Sequence, residues 1–441
     1  MKNISMMICA AILVCAALPA FASGTGENMG GLMTVVAEGP YDVGRNPALL
    51  PLMRKDRAIG FDISAQAYST FSSTGSLGAT FTPPPTVDLT SSSLEYGDPN
   101  TQKIAGAIAF AIKVTDAITV GIGILQQLQK DMPGMNMRLT TNLPSTLSSS
   151  SDSESLSSET DLFASAGMRL MGNLNLGIQL DGKSKYSSER ESSVAYSGGN
   201  LDETGSKINE LRDIQATVAL GLLYHTDAMQ IGFMVNSGTF NWHRQSYSEN
   251  KSEKLSDPPN ATGYNVSAST SWEGRYTDGP SLVLGGHYRL TQVMSVGAEA
   301  GYLFSRSYDV PAISMADTTL EEIDSEREVE RVYFAGGGAS FLIADGMTLA
   351  FGGRFLNYKL NQAEKNSKKT SDVEMEMKLL RIVLGLDWKV NENMNLVVFG
   401  AMDRTVAELG MSSAETAMSM NLSLENTTTA YSVGFGVTQY F

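Results

Sequence analysis

The sequence predicts an all-β protein: a transmembrane antiparallel up-and-down β-barrel of about 14 strands, with an N-terminal plug (hatch) inside the lumen. Three observations predict it. Apolar residues alternate with small or polar residues along much of the chain, short turns alternate with long polar connections, and residues 23–56 form an apolar stretch before the first strand. Alternation with a period of two is typical of strands, because a helix repeats about every 3.6 residues.

The chain begins with a predicted secretory signal peptide at residues 1–22. An apolar run follows Lys2, and small residues flank a cleavage site after Ala22. A lipoprotein signal ending before Cys15 is a weaker alternative, because a bulky valine precedes that cysteine. Cys9 and Cys15 both lie in the signal, so the mature chain is expected to have no disulfide, thiol catalysis or cysteine metal site.

The mature chain is predicted to be acidic. Removal of Lys2 leaves 31 of the 32 Lys and Arg residues against 47 Asp and Glu residues, a formal charge of -16. An acidic chain is a poor nucleic-acid binder, so no nucleic-acid partner is expected. Nothing in the spacing of its carboxylates resembles a calcium loop, and neither a cofactor nor a metal is expected. No mature segment has the roughly 18 uninterrupted apolar residues of a membrane helix.

The predicted plug, residues 23–56, is Gly-rich, too short for a domain and rich in large apolar residues such as Leu32, Leu49 and Leu50. These side chains must be buried. A ring of fourteen strands is too wide to be filled by its own side chains. The lumen is therefore the expected location of the plug.

The barrel is predicted to occupy residues 57–441. Its strands are expected at 57–72, 103–115, 118–131, 158–172, 174–188, 209–226, 228–245, 278–290, 293–308, 329–344, 347–363, 373–391, 394–407 and 426–441. The second of these shows the pattern clearly, because Ile104, Ile108 and Phe110 alternate with alanines. Such apolar residues are expected to face lipid and the small residues the lumen.

The last strand ends on an aromatic residue, Phe441, after Tyr431, Val433 and Phe435 alternate with small residues. A C-terminal aromatic residue on the apolar side of such a strand resembles the sorting signal of bacterial outer-membrane barrels. The expected location is therefore the outer membrane, reached by signal-peptide-directed export. The barrel-assembly machinery is an expected partner during biogenesis, and outer-membrane lipid and lipopolysaccharide are expected partners of the mature barrel.

Six short turns and seven long segments connect the predicted strands, which places both termini at the short-turn end, on the periplasmic side. The long segments are expected at 73–102, 132–157, 189–208, 246–277, 309–328, 364–372 and 408–425. The Ser-rich run from Ser145 to Ser158 and the acidic run from Glu321 to Glu330 are interpreted as solvated loop tips. Bridging of divalent cations by the acidic loops is the alternative.

The segment Arg45-Asn46-Pro47-Ala48-Leu49, after a Gly-rich start, resembles the N-terminal hatch of FadL-type transporters. These are outer-membrane channels for long-chain fatty acids and related hydrocarbons. The family's Asn-Pro-Ala motif matches Asn46, Pro47 and Ala48, and its fourteen-strand barrel agrees with the strand count above. Pro47 favours an extended Asn46 and a chain reversal. The resemblance implies a gating role for this tripeptide, and packing of the plug alone is the alternative.

The resemblance also implies passive uptake of a hydrophobic small molecule, a fatty acid or hydrocarbon, through a lumen pocket. In that family the ligand is thought to leave sideways through a wall opening near the third strand. Gly121 and Gly123 on the third predicted strand are the corresponding candidates. Their alternative interpretation is that glycine lines barrel walls in general.

A carboxylate ligand would need a cation in the lumen. The inward-facing candidates are Lys113, Lys183, Arg354 and Arg381. Arg354 and Arg381, on adjacent predicted strands, are the preferred pair. The alternative is a structural charge network in which these cations are neutralised by Asp62, Asp181, Glu299 and Asp387.

The sequence does not predict an enzyme. Of the three histidines, only His243 is expected near the outer rim, and its eligible partners, Asp202 or Glu203, are remote. The leading hypothesis is a channel for hydrophobic compounds, most of all long-chain fatty acids. A general porin or structural barrel, and a FadL-like shuttle component of a secretion system, are the alternatives.

Overall fold

The computed structural model describes residues 29, 32, 34–37, 39–81, 91–96, 102–131, 134–140, 147–197, 200–253, 264–277, 279–309, 312–316, 319–365, 369–415 and 418–441. The predicted signal peptide lies outside these residues and stays a prediction. Across the described ranges, no helix has the length and apolar character that crossing a membrane requires.

Fourteen antiparallel strands form the wall within the described part of the chain. They are β1 (Arg57–Phe81), β2 (Gln102–Lys113), β3 (Ile118–Asp131), β4 (Leu147–Met171), β5 (Leu174–Ser197), β6 (Asn200–His225), β7 (Met229–Glu253), β8 (Ser281–Arg289), β9 (Met294–Leu303), β10 (Thr319–Ala344), β11 (Met347–Lys365), β12 (Lys369–Asn391), β13 (Met394–Glu415) and β14 (Met418–Tyr440). Short strands extend the wall at the end away from the short turns, here called the rim. They are Ser91–Tyr96, Gly134–Thr140, Tyr264–Thr277, Arg306–Asp309 and Ala312–Ala316.

The wall is closed because β1 pairs with both the second and the last strand. Ala58 lies opposite Ala111 of β2 and opposite Tyr440 of β14. Closure satisfies the backbone hydrogen bonds that an open edge would expose to lipid. The predicted fourteen-stranded barrel is confirmed.

The two faces of each strand separate as the period-two pattern predicts. On β2, Ile104 and Ile108 are about half exposed on the outer face, whereas Ala105 and Ala107 are buried on the inner face. The last strand behaves likewise, with Tyr431 and Val433 exposed on its outer face. A band of exposed large apolar side chains around a closed barrel is the surface that a bilayer covers.

Three of the six predicted short turns are built on threonine. The hydroxyl oxygens of Thr115, Thr226 and Thr291 accept hydrogen bonds from the backbone N–H groups of Ile118, Met229 and Met294, each at 3.0 Å. These side chains satisfy donors at the turn that the ladder leaves unpaired. The turns fix the short-turn end of the barrel.

The rim differs from the prediction, because strand extends through segments expected as loops. From residue 147 onward the Ser-rich run belongs to β4, and the acidic run belongs to β10, so the interpretation of these residues as loop tips is wrong. The connection predicted at 189–208 contracts to 198–199. The longest wall strands have 22 to 26 residues, which corresponds to a length of roughly 75–90 Å. Spanning a bilayer takes only about ten residues, so the wall projects far beyond it.

Candidate functional site

The described part of residues 29–53 forms a plug packed against the inner wall. It contains two short 3-10 helices, Gly39–Gly44 and Pro47–Leu52. The apolar side chains of Met29, Leu32, Val35, Tyr41, Val43, Leu49 and Leu50 have at most 1% of their surface exposed. The segment predicted as a plug is therefore a buried core inside the barrel.

Hydrogen bonds join the plug to strands on different sides of the barrel. The Tyr41 hydroxyl donates to the carbonyl oxygen of Val437 at 3.2 Å. On β4, the Ser165 hydroxyl donates to the Val43 carbonyl oxygen at 2.6 Å. The Asn175 amide donates to the Ala48 carbonyl oxygen at 3.1 Å. Wall side chains thus pair with plug carbonyls that water cannot reach.

Asn46 organises the plug at its junction with β6. Its backbone is extended, with φ -75° and ψ 108°, as the following proline predicts. Its side chain accepts from the Ala48 N–H at 3.1 Å and donates to the Thr34 carbonyl oxygen at 2.9 Å and to the Leu222 carbonyl oxygen at 3.3 Å. One amide therefore caps the second helix, ties two parts of the plug together and holds both to the wall.

A second attachment joins Thr34 to Glu299 on β9. The Thr34 N–H and hydroxyl both donate to Oε2 of Glu299, at 2.8 and 2.6 Å. Thr34 is fully buried and Glu299 is 3% exposed. Hydrogen bonds to a carboxylate in such a site are strong. Glu299 thus contacts the plug, whereas the sequence suggested it as a partner of lumen cations.

Nine wall glycines, the glycine belt, lie where the plug touches the wall. A Cβ atom at each would come within 3 Å of a plug atom. They are Gly60, Gly121, Gly167, Gly177, Gly221, Gly232, Gly285, Gly297 and Gly338. Many are cross-strand partners, as Gly177 is of both Gly167 and Gly221. The belt lets the plug backbone approach the wall more closely than any side chain would allow.

The belt gives Gly121 a function other than the one suggested from sequence. A Cβ atom there would overlap the Val43 side chain, whereas Gly123 has only ordinary contacts with Ala109. The strand that carries both glycines, β3, pairs with β2 and β4 along its whole length without a register shift. Among the described residues the wall has no gap there, and an opening at these glycines stays a hypothesis.

An apolar arc lines the inner wall toward the rim on β10 to β13. Its members are Val332, Phe334, Leu356, Tyr358, Leu360, Val373, Met375, Met377, Leu379, Leu409 and Met411. The β12 members alternate with Glu374, Glu376 and Lys378 on the outer face. Beyond the membrane, therefore, the inner face of this strand is the apolar one.

The arc ends toward the plug at Arg354 and Arg381, the arginine pair. These residues are direct cross-strand partners on β11 and β12. The Arg354 guanidinium lies 4.0 Å from the centroid of the Phe334 ring. Nε of Arg381 lies 3.7 Å from the Asp403 carboxylate. The structure thus brings together the two arginines that the sequence preferred.

The plug lies directly beyond the arginine pair. Gly338 contacts Met29 and pairs with Gly352 on β11. Gly352 lies two residues before Arg354 and therefore on the same inner face of that strand. Ala350 belongs to the same buried cluster as Met29. Arc, arginine pair and plug therefore follow one another along the lumen.

The other predicted cations lie elsewhere. Lys113 is at the short-turn end of β2, where its N–H donates to the Asp56 carbonyl oxygen at 2.8 Å. Lys183 forms ion pairs with Glu159 at 2.8 Å and Asp161 at 3.3 Å. The suggested charge network exists there, but with these carboxylates as the ion-pair partners.

The opposite side of the lumen, on β2 to β7, is polar. It carries buried Lys103, Gln127, Gln129, Glu159, Asp161, Gln179, Asp213 and His243. Nδ1 of His243 lies 2.5 Å from the Asp213 carboxylate, its cross-strand neighbour, so the suggestion of Asp202 or Glu203 as partner is wrong. Within the described residues, no group of three or more His, Cys, Asp or Glu side chains could hold a metal ion.

Sequence reasoning missed three components of this site: the Thr34–Glu299 attachment, the glycine belt and the apolar arc. The arc left a readable signal, because Val373, Met375, Met377 and Leu379 alternate with charged residues. Expecting apolar residues to face lipid assigns them to the wrong face. The attachment left no signal, because its residues are 265 positions apart.

No protein-family model matches the chain, and no curated protein matches it in sequence. Its structure is similar to that of the toluene transporter TodX from P. putida, with a TM-score of 0.57 and 11% identity over 95% of this chain and 98% of that one. A Pseudomonas aeruginosa FadL homologue gives 0.59 and 12% over 95% and 98%. The Ralstonia pickettii toluene transporter TbuX gives 0.53 and 14% over 95% and 98%. The chain therefore shares the barrel fold of these FadL-type proteins.

Proposed function

We propose that this protein is an outer-membrane channel for the passive uptake of hydrophobic compounds, with long-chain fatty acids as its substrates. One observation carries the proposal: the apolar arc ends on the arginine pair, directly before the plug. A fatty acid has two corresponding parts in the same order, an apolar tail and a charged head group. The fold adds that the described wall strands form a closed ring.

The arginine pair is suited to a carboxylate head group. A guanidinium presents a fork of donors that matches a carboxylate in bidentate geometry. Stacking on Phe334 holds the Arg354 guanidinium in place.

The apolar arc is suited to a long and flexible tail. From Arg381 to Val373, β12 rises roughly 26 Å, which gives room for an extended acyl chain. Met375 and Met377 are buried on the inner face of β12. Methionine side chains adapt their shape at little cost, so they can part around a tail. A toluene-sized molecule would cover only a fraction of this length.

The plug supplies the gate in this proposal. It is held by Asn46 at β6 and by Thr34 at Glu299. Ligand bound at the arginine pair lies beside Met29, so a local shift of the plug near Met29 and Thr34 would open a path. The tripeptide from Asn46 to Ala48 would act as the fixed end of that movement.

Monoaromatic hydrocarbons are the second candidate substrates, because TodX and TbuX are described as toluene transporters. A neutral hydrocarbon gains nothing from the arginine pair, so the charge of the preferred ligand separates the two candidates. An open general porin is disfavoured by the buried plug. The shuttle hypothesis, the barrel-assembly machinery and lipopolysaccharide remain predictions from sequence.

The test is binding of oleate, oleyl alcohol and toluene by purified protein and by the Arg354→Met variant. Loss of a charge-assisted hydrogen bond costs about 1.5–3 kcal/mol, or roughly 10- to 150-fold in affinity. We expect that loss for oleate and no change for oleyl alcohol. Lys113→Met, which removes a cation at the short-turn end, is the matched control. Equal oleate affinity in all three proteins would refute the head-group assignment, and preferential binding of toluene would favour the second candidate.

A further inference from the structure

The outer face of β6 shows where the bilayer ends. From Tyr224 to Ile214 the strand has about eleven residues, as many as a tilted strand needs to cross the hydrocarbon core. The large outward side chains in this span are exposed and apolar or aromatic: Tyr224, Leu222, Leu220, Val218 and Ile214. The next outward residue toward the rim is Arg212, which is exposed. Arg212 therefore lies at the level of the lipid head groups.

The apolar outer face of β7 ends at the same level. Phe240 and Trp242 are exposed, and Trp242 is the cross-strand partner of Ile214. Exposed aromatic side chains form girdles at the boundary between hydrocarbon and head groups. The next outward residue of β7 is Arg244, whose side chain is 58% exposed. Each of the two strands thus places an arginine just beyond the aromatic boundary.

Arg212 and Arg244 are direct cross-strand partners. Side chains paired in this way have Cβ atoms about 4.5–5.5 Å apart, and like charges directly opposite each other destabilise a sheet. Arg275 on the adjacent rim strand adds a third guanidinium. It is exposed and lies opposite Trp242, so it is the diagonal neighbour of Arg244. These three residues, here called the outer arginines, gather positive charge on the outer face of three adjacent strands.

Nearby carboxylates match the outer arginines only in part. Glu273 lies 3.7 Å from Nε of Arg244, and both side chains are more than half exposed, so this ion pair is weak. Glu210 accepts a hydrogen bond from the Tyr186 hydroxyl at 3.2 Å. The Arg212 guanidinium lies 5.4 Å from the centroid of the Tyr186 ring. A guanidinium stacked on a ring can still donate hydrogen bonds along its edges.

Two other exposed cations of the described outer face have carboxylate partners. Lys130 on β3 lies 2.9 Å from Glu154 on β4. Lys378 on β12 lies 3.4 Å from both Glu376 and Glu408. These lysines are neutralised by the protein itself, whereas two of the outer arginines face one another. An anion bound between them would relieve that repulsion.

We propose that the outer arginines bind the phosphate groups of lipopolysaccharide in the outer leaflet. A guanidinium matches the oxygens of a phosphate in bidentate geometry. The acyl chains of the same lipid would lie against Ile214, Phe240 and Trp242, which are exposed directly below. A free phosphate ion would gain nothing from these apolar side chains. The site is independent of the proposed uptake function, because the outer arginines do not face the lumen.

Binding of lipopolysaccharide by the purified protein in detergent tests the site. The variant Arg212→Gln/Arg244→Gln removes two of the outer arginines. Lys130→Gln/Lys378→Gln is the matched control, because it removes the same number of exposed cations from the outer face. Each protein is titrated with lipopolysaccharide, with enzymatically dephosphorylated lipopolysaccharide and with inorganic phosphate, and binding is read by native mass spectrometry. EDTA is present throughout, since it removes divalent cations that could bridge phosphate groups to carboxylates.

We expect the wild type and the control to bind lipopolysaccharide at least tenfold more tightly than the variant without Arg212 and Arg244. Dephosphorylation should lower the affinity of the wild type to that of the variant. Inorganic phosphate should bind at least tenfold more weakly than lipopolysaccharide. Equal affinity of all three proteins for lipopolysaccharide would overturn the proposal, as would binding that does not depend on its phosphates. Inorganic phosphate bound as tightly as lipopolysaccharide would overturn the lipid as the ligand.

Thermal unfolding separates lipid binding from a purely structural function of the arginines. In detergent without lipopolysaccharide, Arg212→Gln/Arg244→Gln should unfold close to the wild-type temperature, because the lost stacking on Tyr186 is offset by the removed repulsion. Addition of lipopolysaccharide should raise the unfolding temperature of the wild type more than that of the variant. A variant that is less stable by the same amount in both conditions would show that the arginines stabilise only the wall, and would overturn the site.

Discussion

Replacement of Thr34 by valine should loosen the plug without releasing it. The change keeps the shape of the side chain and removes the hydroxyl that donates to Glu299 at 2.6 Å, leaving the backbone N–H bond at 2.8 Å. A hydrogen bond to a charged group contributes about 1.5–3 kcal/mol. The population of locally opened plug should therefore rise roughly 10- to 150-fold.

The rest of the plug should stay in the lumen. Leu32, Val35, Leu49 and Leu50 are fully buried, and each contributes about 1.5–3 kcal/mol by burial. These four side chains alone outweigh the lost hydrogen bond several-fold. Opening should therefore be confined to the neighbourhood of Thr34.

Hydrogen exchange read by mass spectrometry measures this opening directly. Amides around Thr34 should exchange roughly 10- to 150-fold faster in the variant, and wall amides at the wild-type rate. Thr217→Val is the matched control. Its hydroxyl forms a hydrogen bond at 3.0 Å with Thr239, and both residues belong to the wall. Unchanged exchange near Thr34 would refute the inference that Glu299 anchors the plug.

Two further predictions concern the glycine belt and the N-terminus. Gly177→Leu should displace the plug, since a Cβ atom there overlaps the backbone at Pro47 and Ala48, and should raise ion conductance in planar bilayers. Gly182→Leu on the same strand, with open space around its Cβ position, should conduct like the wild type, and equal conductance of both variants would contradict the role of the belt. Intact-mass spectrometry of protein from the outer membrane should show a chain beginning at Ser23, and a retained or lipidated N-terminus would contradict the predicted signal peptide.

Much of the barrel was readable from sequence because its determinants are local. Neighbouring side chains on a strand point to opposite faces whatever the strand pairs with. The alternation of Ile104 and Ala105 therefore indicates by itself which face meets lipid and which faces the lumen. The short turns are equally local, because Thr115 bonds within its own turn. The extended backbone of Asn46 was readable for the same reason, because the following proline restricts it.

The rim was predicted less well, because its pattern has a different physical cause. Outside the membrane both faces of a strand are released from lipid, so polar residues no longer mark a loop. The serines and carboxylates of β4 and β10 belong to paired strands there. On β12, Met375 and Met377 face the lumen while Glu374 and Glu376 face outward. The alternation is still present, but its direction is reversed.

The sequence by itself determined the strands, their lipid-facing side, the short turns and the presence of an apolar segment that must be buried. Each depends on residues close together in the chain. Only the tertiary structure decided which wall glycines meet the plug, that Glu299 holds Thr34, and that Arg354 lies over Phe334 beside its cross-strand partner Arg381. These contacts join residues far apart in the chain, and their geometry follows from the register and closure of the whole barrel.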